Sequence, residues 1–293
     1  MSRIDLVYNP VSGSFGTAHL EALADALEAS GFAVTMVPTA RDGVRFSGTA
    51  DLVCIHGGDG TLRDTVQAMG ADAGRLPLCV APSGTINLVA RELSYARAPG
   101  AFARQIAKGW KAGDARWVHA PLYRLGDVPI VSCLSIGPDS HAVARVSGPL
   151  KKRIGRYAYV VAMMQQMRDW PRNPVTIRGE LSGGEEFTCE AEAAIVSNAA
   201  LYAGPFRLSP AAALSADSIE LITLTRSTRM RIAALSLASM LGLPIARMGL
   251  ADIRTVRRIE FDRCVTPVQV DGDHFPDCAY VIAPAGLTLR YVV

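Results

Sequence analysis

No stretch of this 293-residue sequence stays apolar for long enough to span a bilayer. The least polar run, IAALSLASMLGLPIA at 232–246, falls short of the ~20 residues a spanning helix requires. The opening MSRIDLVYNP has no apolar h-region, so no secretory signal is expected. Neither sign of charge is in excess: 30 basic against 27 acidic residues give a net charge of +3, too little to argue for nucleic-acid binding. The six cysteines, Cys54, Cys79, Cys133, Cys189, Cys264 and Cys278, form no C-x-x-C pair and no Cys/His cluster at zinc spacing. Free, buried thiols in a reducing cytoplasm are the expectation. His56, His119 and His274 also lack ligand-like spacing and read as structural. The G-x-x-x-x-G-K-[ST] phosphate loop and the H-R-D and D-F-G signatures are absent, which removes the common nucleotide-binding routes.

What is present is the composition of a folded chain, 49% hydrophobic and 19% charged. Its length suits two domains at about 100 to 200 residues each. In the first third, IDLVYNP, FAVTMVP, ADLVCIHG and LPLCVAPSG read as strands. Between the first two lies TAHLEALADALEASG, an amphipathic helix with Leu20, Leu23 and Leu27 on one face and Gly31 at its C-terminal end. GTLRDTVQAM and GTINLVAREL follow Gly-rich turns as further helices. Alternating strands and helices imply a mostly parallel, Rossmann-like sheet whose ligands bind at the carboxyl ends of the strands. The turns NPVSGS, GGDGT and PSGT all fall there.

The pattern changes near residue 115. From there short β-like runs separated by turns dominate, interrupted by helical segments around 150–170 and 230–240. The expected fold is therefore an α/β domain over 1–118 and a β-rich antiparallel sandwich over 119–293, with the last ~10 residues returning to the first domain. The cleft between the two is the default ligand site.

The stretch VCIHGGDGTLRDTV at 53–66 sets three glycines around one aspartate at a strand-to-helix turn. Glycines let backbone N–H groups converge on an anion, and a helix N-terminus adds a favourable dipole. The same glycines serve a tight turn equally well. Asp59 accordingly has several readings: acceptor for neighbouring N–H groups or a ribose, holder of Mg²⁺, or turn-stabilising carboxylate.

NPVSG (9–13), GGDGTL (57–62), PSGTINLVAREL (82–93), SIGPDS (135–140), KRIGRYAY (152–159), LSPAA (208–212) and VDGD (270–273) follow in order. That succession resembles the diacylglycerol kinase catalytic-domain family of soluble lipid kinases, which includes sphingosine and ceramide kinases. GGDGT alone would also fit the NAD kinases of the same superfamily. The resemblance implies ATP and Mg²⁺ as cofactors. At the nucleotide site it implies Asn9, Pro10, Ser12, Gly13, Thr39, Gly57, Gly58, Asp59, Gly60, Thr61, Ser83, Gly84 and Thr85. Asp139 and Asp273 match the family's acidic positions for phosphoryl transfer, the second as proton acceptor where glutamate is usual. Asp59 and Glu220 match metal-associated acids. Two departures stand out. Ile86 and Leu88 replace the second glycine and the aspartate of PxGTGNDFA, and Ala216 and Asp217 replace the Asp-Gly of DDGxLD.

Lys151, Lys152, Arg153 and Arg156 precede an apolar run with Tyr157 and Tyr159, a pattern suited to an anionic membrane surface or to a packed helix with a solvated basic end. The expected protein is an ATP-dependent kinase of a lipid alcohol, peripheral on the inner face of the membrane, with no nucleic-acid partner and with room for a homodimer. A soluble-substrate kinase of the NAD kinase type and a lipid-binding module without catalysis are the alternatives.

Overall fold

The computed structural model describes residues 1–12, 15–40, 43–84, 86–145, 174–204, 206–265, 267–275 and 279–293. The chain forms two compact units, Met1–Leu122 with Gly286–Val293, and Tyr123–Ala285.

The first unit runs β1 (Ser2–Tyr8), α1 (Thr17–Ala29), β2 (Phe32–Ala40), β3 (Gly43–Val44), β4 (Leu52–Gly57), α2 (Asp59–Met69), β5 (Leu78–Pro82), α3 (Leu88–Glu92) and α4 (Pro99–Ala112). Strands β2, β1, β4 and β5 are parallel neighbours in that order. All six residues of β4 are buried, as expected of a central parallel strand covered on both faces. Leu20, Leu23 and Leu27 are the buried residues of α1, which packs on α4 and β2. Register sets Pro38, Tyr8, His56 and Ala81 in one row, so the turns after β1, β4 and β5 leave from one edge. The order reverses between β1 and β4, the point where open α/β sheets take ligands.

β6 (Val118–Leu125) leads into the second unit. There follow β7 (Val128–Ile130), β8 (Cys133–Ile136), α5 (Pro138–Arg145), β9 (Val175–Leu181), β10 (Glu186–Ala191), β11 (Ala193–Ser197), β12 (Ile219–Leu224), α6 (Arg229–Met240), β13 (Asp252–Val265), β14 (Val268–Val270), β15 (Asp273–Phe275) and β16 (Ala279–Tyr291). The pairing is antiparallel in the order β15-β14-β8-β11-β12-β13. Residues of β11 and β12 alternate between two cores. Ala194, Val196 and Leu221 face one, while Ile195, Ile222 and Leu224 face Ile232 and Leu235 of α6 in the other.

Two expectations require correction. The fold is mixed α/β, but the strands form one linked series of pairings rather than a separate sheet and sandwich. The cause is β16, a 13-residue strand that pairs with β13 near its start and with β5 at Tyr291. The cysteines are not all free. Cys54, Cys79, Cys133 and Cys189 form no disulfide, but Cys264 is disulfide-bonded. Cys264 lies at the end of β13, next to Val265, which pairs with Ala279 at the start of β16. The helix expected around 150–170 and its cluster Lys151, Lys152, Arg153 and Arg156 fall outside the described residues.

Candidate active site

Two turns of the first unit brace each other at the carboxyl edge of its sheet. Gly58, with no side chain capping it, precedes α2, and Leu62 is the first residue whose N–H closes onto the helix, bonding Gly58 O at 3.0 Å. The N–H groups of Gly60 and Thr61 therefore project from the helix end, where the dipole favours an anion. Asp59 is buried and answers the question its motif raises: its carboxylate accepts from Leu88 N at 2.8 Å and Val89 N at 3.0 Å. It thus caps α3 across the gap between the turns. Asn87, buried and left-handed at φ 54°, closes the second turn by accepting from Gly84 N at 2.9 Å and donating to Gly84 O at 2.5 Å. A Cβ on Gly84 would stand 2.9 Å from the Gly58 Cα, so this approach admits glycine alone.

The remaining first-unit candidates share that edge. Asn9 Oδ1 accepts from Val11 N at 3.0 Å, and Ser12 N donates to Asn9 O at 3.3 Å, folding the turn after β1 over exposed Pro10. Ser83 N donates to Gly57 O at 3.4 Å. Thr39 pairs with Val44 at the end of β2. Gly13 and Thr85 lie outside the described residues.

In the second unit the carboxylates divide by environment. Val270 and Asp273 pair across a two-residue turn in which Asp271 and Gly272 have φ of 50° and 88°, the positive pair a type I′ hairpin needs. The turn folds Asp271 inward, where it accepts from Val131 N, Ser132 N, Ser132 Oγ and Cys133 N at 2.7–3.1 Å. Asp273 stays half-buried at the start of β15. Asp139, on the first turn of α5, accepts from the Tyr202 hydroxyl, and α5 packs against β14 and β15. Burial, then the Asp139 charge, pushes the Tyr202 phenol well above its usual pKa. Glu220 is buried on β12 and accepts from Ser209 Oγ at 2.7 Å. No three His, Cys, Asp or Glu side chains converge on a metal-sized site among the described residues.

Residues 3–114 match the diacylglycerol kinase catalytic domain family. The matched segment holds both braced turns. Solved structures described as diacylglycerol kinases from Bacillus anthracis str. Sterne share the fold over 99% of this chain. Two of them align at TM-scores of 0.72 and 0.71 with 17% identity, covering 95% and 97% of their own chains. A third aligns at 0.69 with 18% identity over 96% of its chain. Nothing matches among curated proteins.

Relative to the diacylglycerol kinase pattern, Ile86 and Leu88 leave the second turn without its usual glycine and aspartate. Here Asn87 supplies the left-handed residue, and Asp59 supplies the carboxylate at the α3 N-terminus. The Tyr202 hydroxyl and the contact of His56 with His19 had no sequence signal. Tyr202 sits in a turn with no motif of its own. His56, the last residue of β4 before the glycines, lies 3.0 Å from His19 of α1 between ring nitrogens. Burial, reinforced by His19, lowers its pKa to about 4, so it stays neutral near neutral pH. Asn87 did carry a local signal, because asparagine is the side chain most often tolerated in left-handed backbone.

Proposed function

We propose that the chain is an ATP-dependent lipid kinase that transfers the γ-phosphoryl group to the hydroxyl of a lipid alcohol, diacylglycerol or a ceramide or sphingoid lipid. The observation that carries this reading is the braced pair of turns at the carboxyl edge of a parallel sheet, inside the segment matching the diacylglycerol kinase catalytic domain. The match over residues 3–114 supports the kinase class; the acceptor is our assignment. Mg²⁺–ATP, when bound, supplies the transferable phosphoryl group and the countercharge for its oxygens.

The chain's own residues then hold and orient. The N–H groups of Gly60 and Thr61, with the turns at Asn9–Ser12 and Ser83–Gly84, suit a polyphosphate, because donors at a helix end meet negative charge without a Cβ in the way. The Asp59 carboxylate, which accepts from Leu88 N and Val89 N, both holds the turns and stands beside the cation in this reading. Glu220, engaged by Ser209 and in no cluster of three potential ligands among the described residues, is the weaker metal candidate. Asp273 takes the acceptor hydroxyl's proton, since Asp271 is committed to backbone N–H groups; Asp139, fixed by Tyr202, stands with it. Action at a membrane surface follows from the acceptor.

The test is incubation with labelled ATP and a panel of lipid alcohols in detergent micelles, with NAD as soluble competitor and products read by mass spectrometry. A phosphorylated lipid is expected. Phosphorylated NAD alone, or no product with lipid still bound, would replace this reading.

A further inference from the structure

One face of α6 is left exposed among the described residues. Ile232, Leu235 and Ala238 turn into the core, which leaves the opposite face to solvent. That face carries Met230, Ala234, Leu237 and Leu241 at i, i+4, i+7 and i+11, one ladder of a helix. Met230 is 81% exposed, Leu237 56% and Leu241 61%, and Met240 and Met248 beside them are also more than half exposed. Such a run of large apolar side chains is unusual on a folded surface and marks an interaction site.

Charge identifies the occupant. Between Thr225 and Ala251 the sequence holds four arginines, Arg226, Arg229, Arg231 and Arg247, and no lysine, aspartate or glutamate. Glu192 reaches the start of the segment, where it accepts from Ser227 N at 2.7 Å and Ser227 Oγ at 2.9 Å. Arg231 turns inward to the carbonyls of Gly249 and Leu250, while Arg226 and Arg247 are exposed. An apolar face on a segment that exposes Arg226 and Arg247 and carries no acid of its own is poorly complementary to itself across a two-fold axis, where arginine would meet arginine. It is complementary to an anionic bilayer, whose phosphates pair with guanidinium groups above an acyl layer that accepts leucine and methionine.

We infer that α6 and the turn to Met248 form the surface by which this protein docks on anionic phospholipid. The docking deepens the lipid-kinase reading by naming where the protein meets its substrate's membrane, and it is argued from other residues than the Lys151–Arg156 sequence cluster. It requires neither nucleotide nor turnover.

The test is flotation with vesicles of phosphatidylglycerol in phosphatidylcholine, against phosphatidylcholine alone, without nucleotide. Wild type is expected to float with the anionic vesicles and to come off as salt rises. Leu237→Asp with Leu241→Asp should weaken binding at least ~10-fold with an unchanged circular dichroism spectrum and melting temperature, because both side chains point outward. Arg226→Gln with Arg247→Gln should remove most of the dependence on phosphatidylglycerol while the melt again stays put. Undiminished flotation of the folded Leu237/Leu241 variant overturns the proposal. So does a wild-type dimer, seen by light scattering, that this variant converts to monomer while vesicle binding persists. If wild type floats, the variant does not, and neither phosphorylates any lipid, docking stands and the kinase reading falls.

Discussion

Asp271 and Asp273 stand two residues apart and do opposite work because the type I′ turn sends one carboxylate inward and leaves the other half-buried. Asp273→Asn should therefore keep nucleotide binding and melting temperature while turnover falls at least ~10²-fold, the low end for a general base. Asp271→Asn should instead destabilise the fold by about 2 to 3 kcal/mol, since an amide NH₂ would face backbone donors that now bond a carboxylate. Chemical denaturation and a lipid-phosphorylation assay separate the two, and the reverse pattern would move the base to Asp271. His56 makes a second residue-scale prediction. Its folded pKa, about 4, lies below the unfolded value of 6.5, so between those values the unfolded chain binds more protons. Stability should rise with pH across that window and be lost as pH falls through it. His56→Gln should flatten this part of a stability-against-pH curve measured by urea denaturation.

At the scale of elements, the two turns work as one unit because the carboxylate of the first caps the helix of the second. Glycines that are equivalent in the motif then differ. A Cβ on Gly58 would meet Asn87 Oδ1 at 3.5 Å and Gly84 Cα at 3.7 Å, ordinary van der Waals contact. On Gly84 it would stand 2.5 Å from Asn87 Oδ1 and 2.9 Å from the Gly58 Cα. Gly58→Ala is expected to melt like wild type and lose ATP affinity in calorimetry, because the added methyl crowds only the donor edge. Gly84→Ala should cost about 1 to 3 kcal/mol of stability as well, the usual range for overpacking. Equal melting temperatures for the two variants would refute the bracing. The helix at α6 shows a similar division between local and tertiary information. Its apolar run reads as a helix with several uses, and only packing shows that Ile232 and Leu235 face the core while Leu237 and Leu241 do not.

On the scale of the whole molecule, the end of the chain completes the first unit. Leu289, Tyr291 and Val292 are buried, Val292 N donates to Leu78 O at 2.9 Å, and the Tyr95 hydroxyl donates to Val292 O at 2.6 Å. Burying three large side chains is worth roughly 1.5–3 kcal/mol each, comparable to the net stability of a domain. Deleting Gly286–Val293 should therefore abolish cooperative melting of the first unit. A fragment of Met1–Leu122 should gain ordered structure by circular dichroism only when a peptide of the missing residues is added. A deletion variant that melts like wild type would show that β5 needs no second strand opposite β4.

Within the described residues, the strands and helices of the first unit and the order of its glycine-rich turns were legible in the sequence. Alternation at period two, the leucine stripe of α1 and Asp-Gly at a hairpin are set within about ten residues, where backbone sterics and side-chain spacing decide. The division of labour among identical side chains was decided by tertiary structure. Asp59 finds its N–H partners 29 and 30 residues away, and Asp271 finds its own 138 to 140 residues away. A carboxylate's role depends on which donors the fold brings to it. The linked sheet, the disulfide at Cys264 and the bare face of α6 have the same origin, because strand neighbours and uncovered surfaces exist only once distant segments have packed.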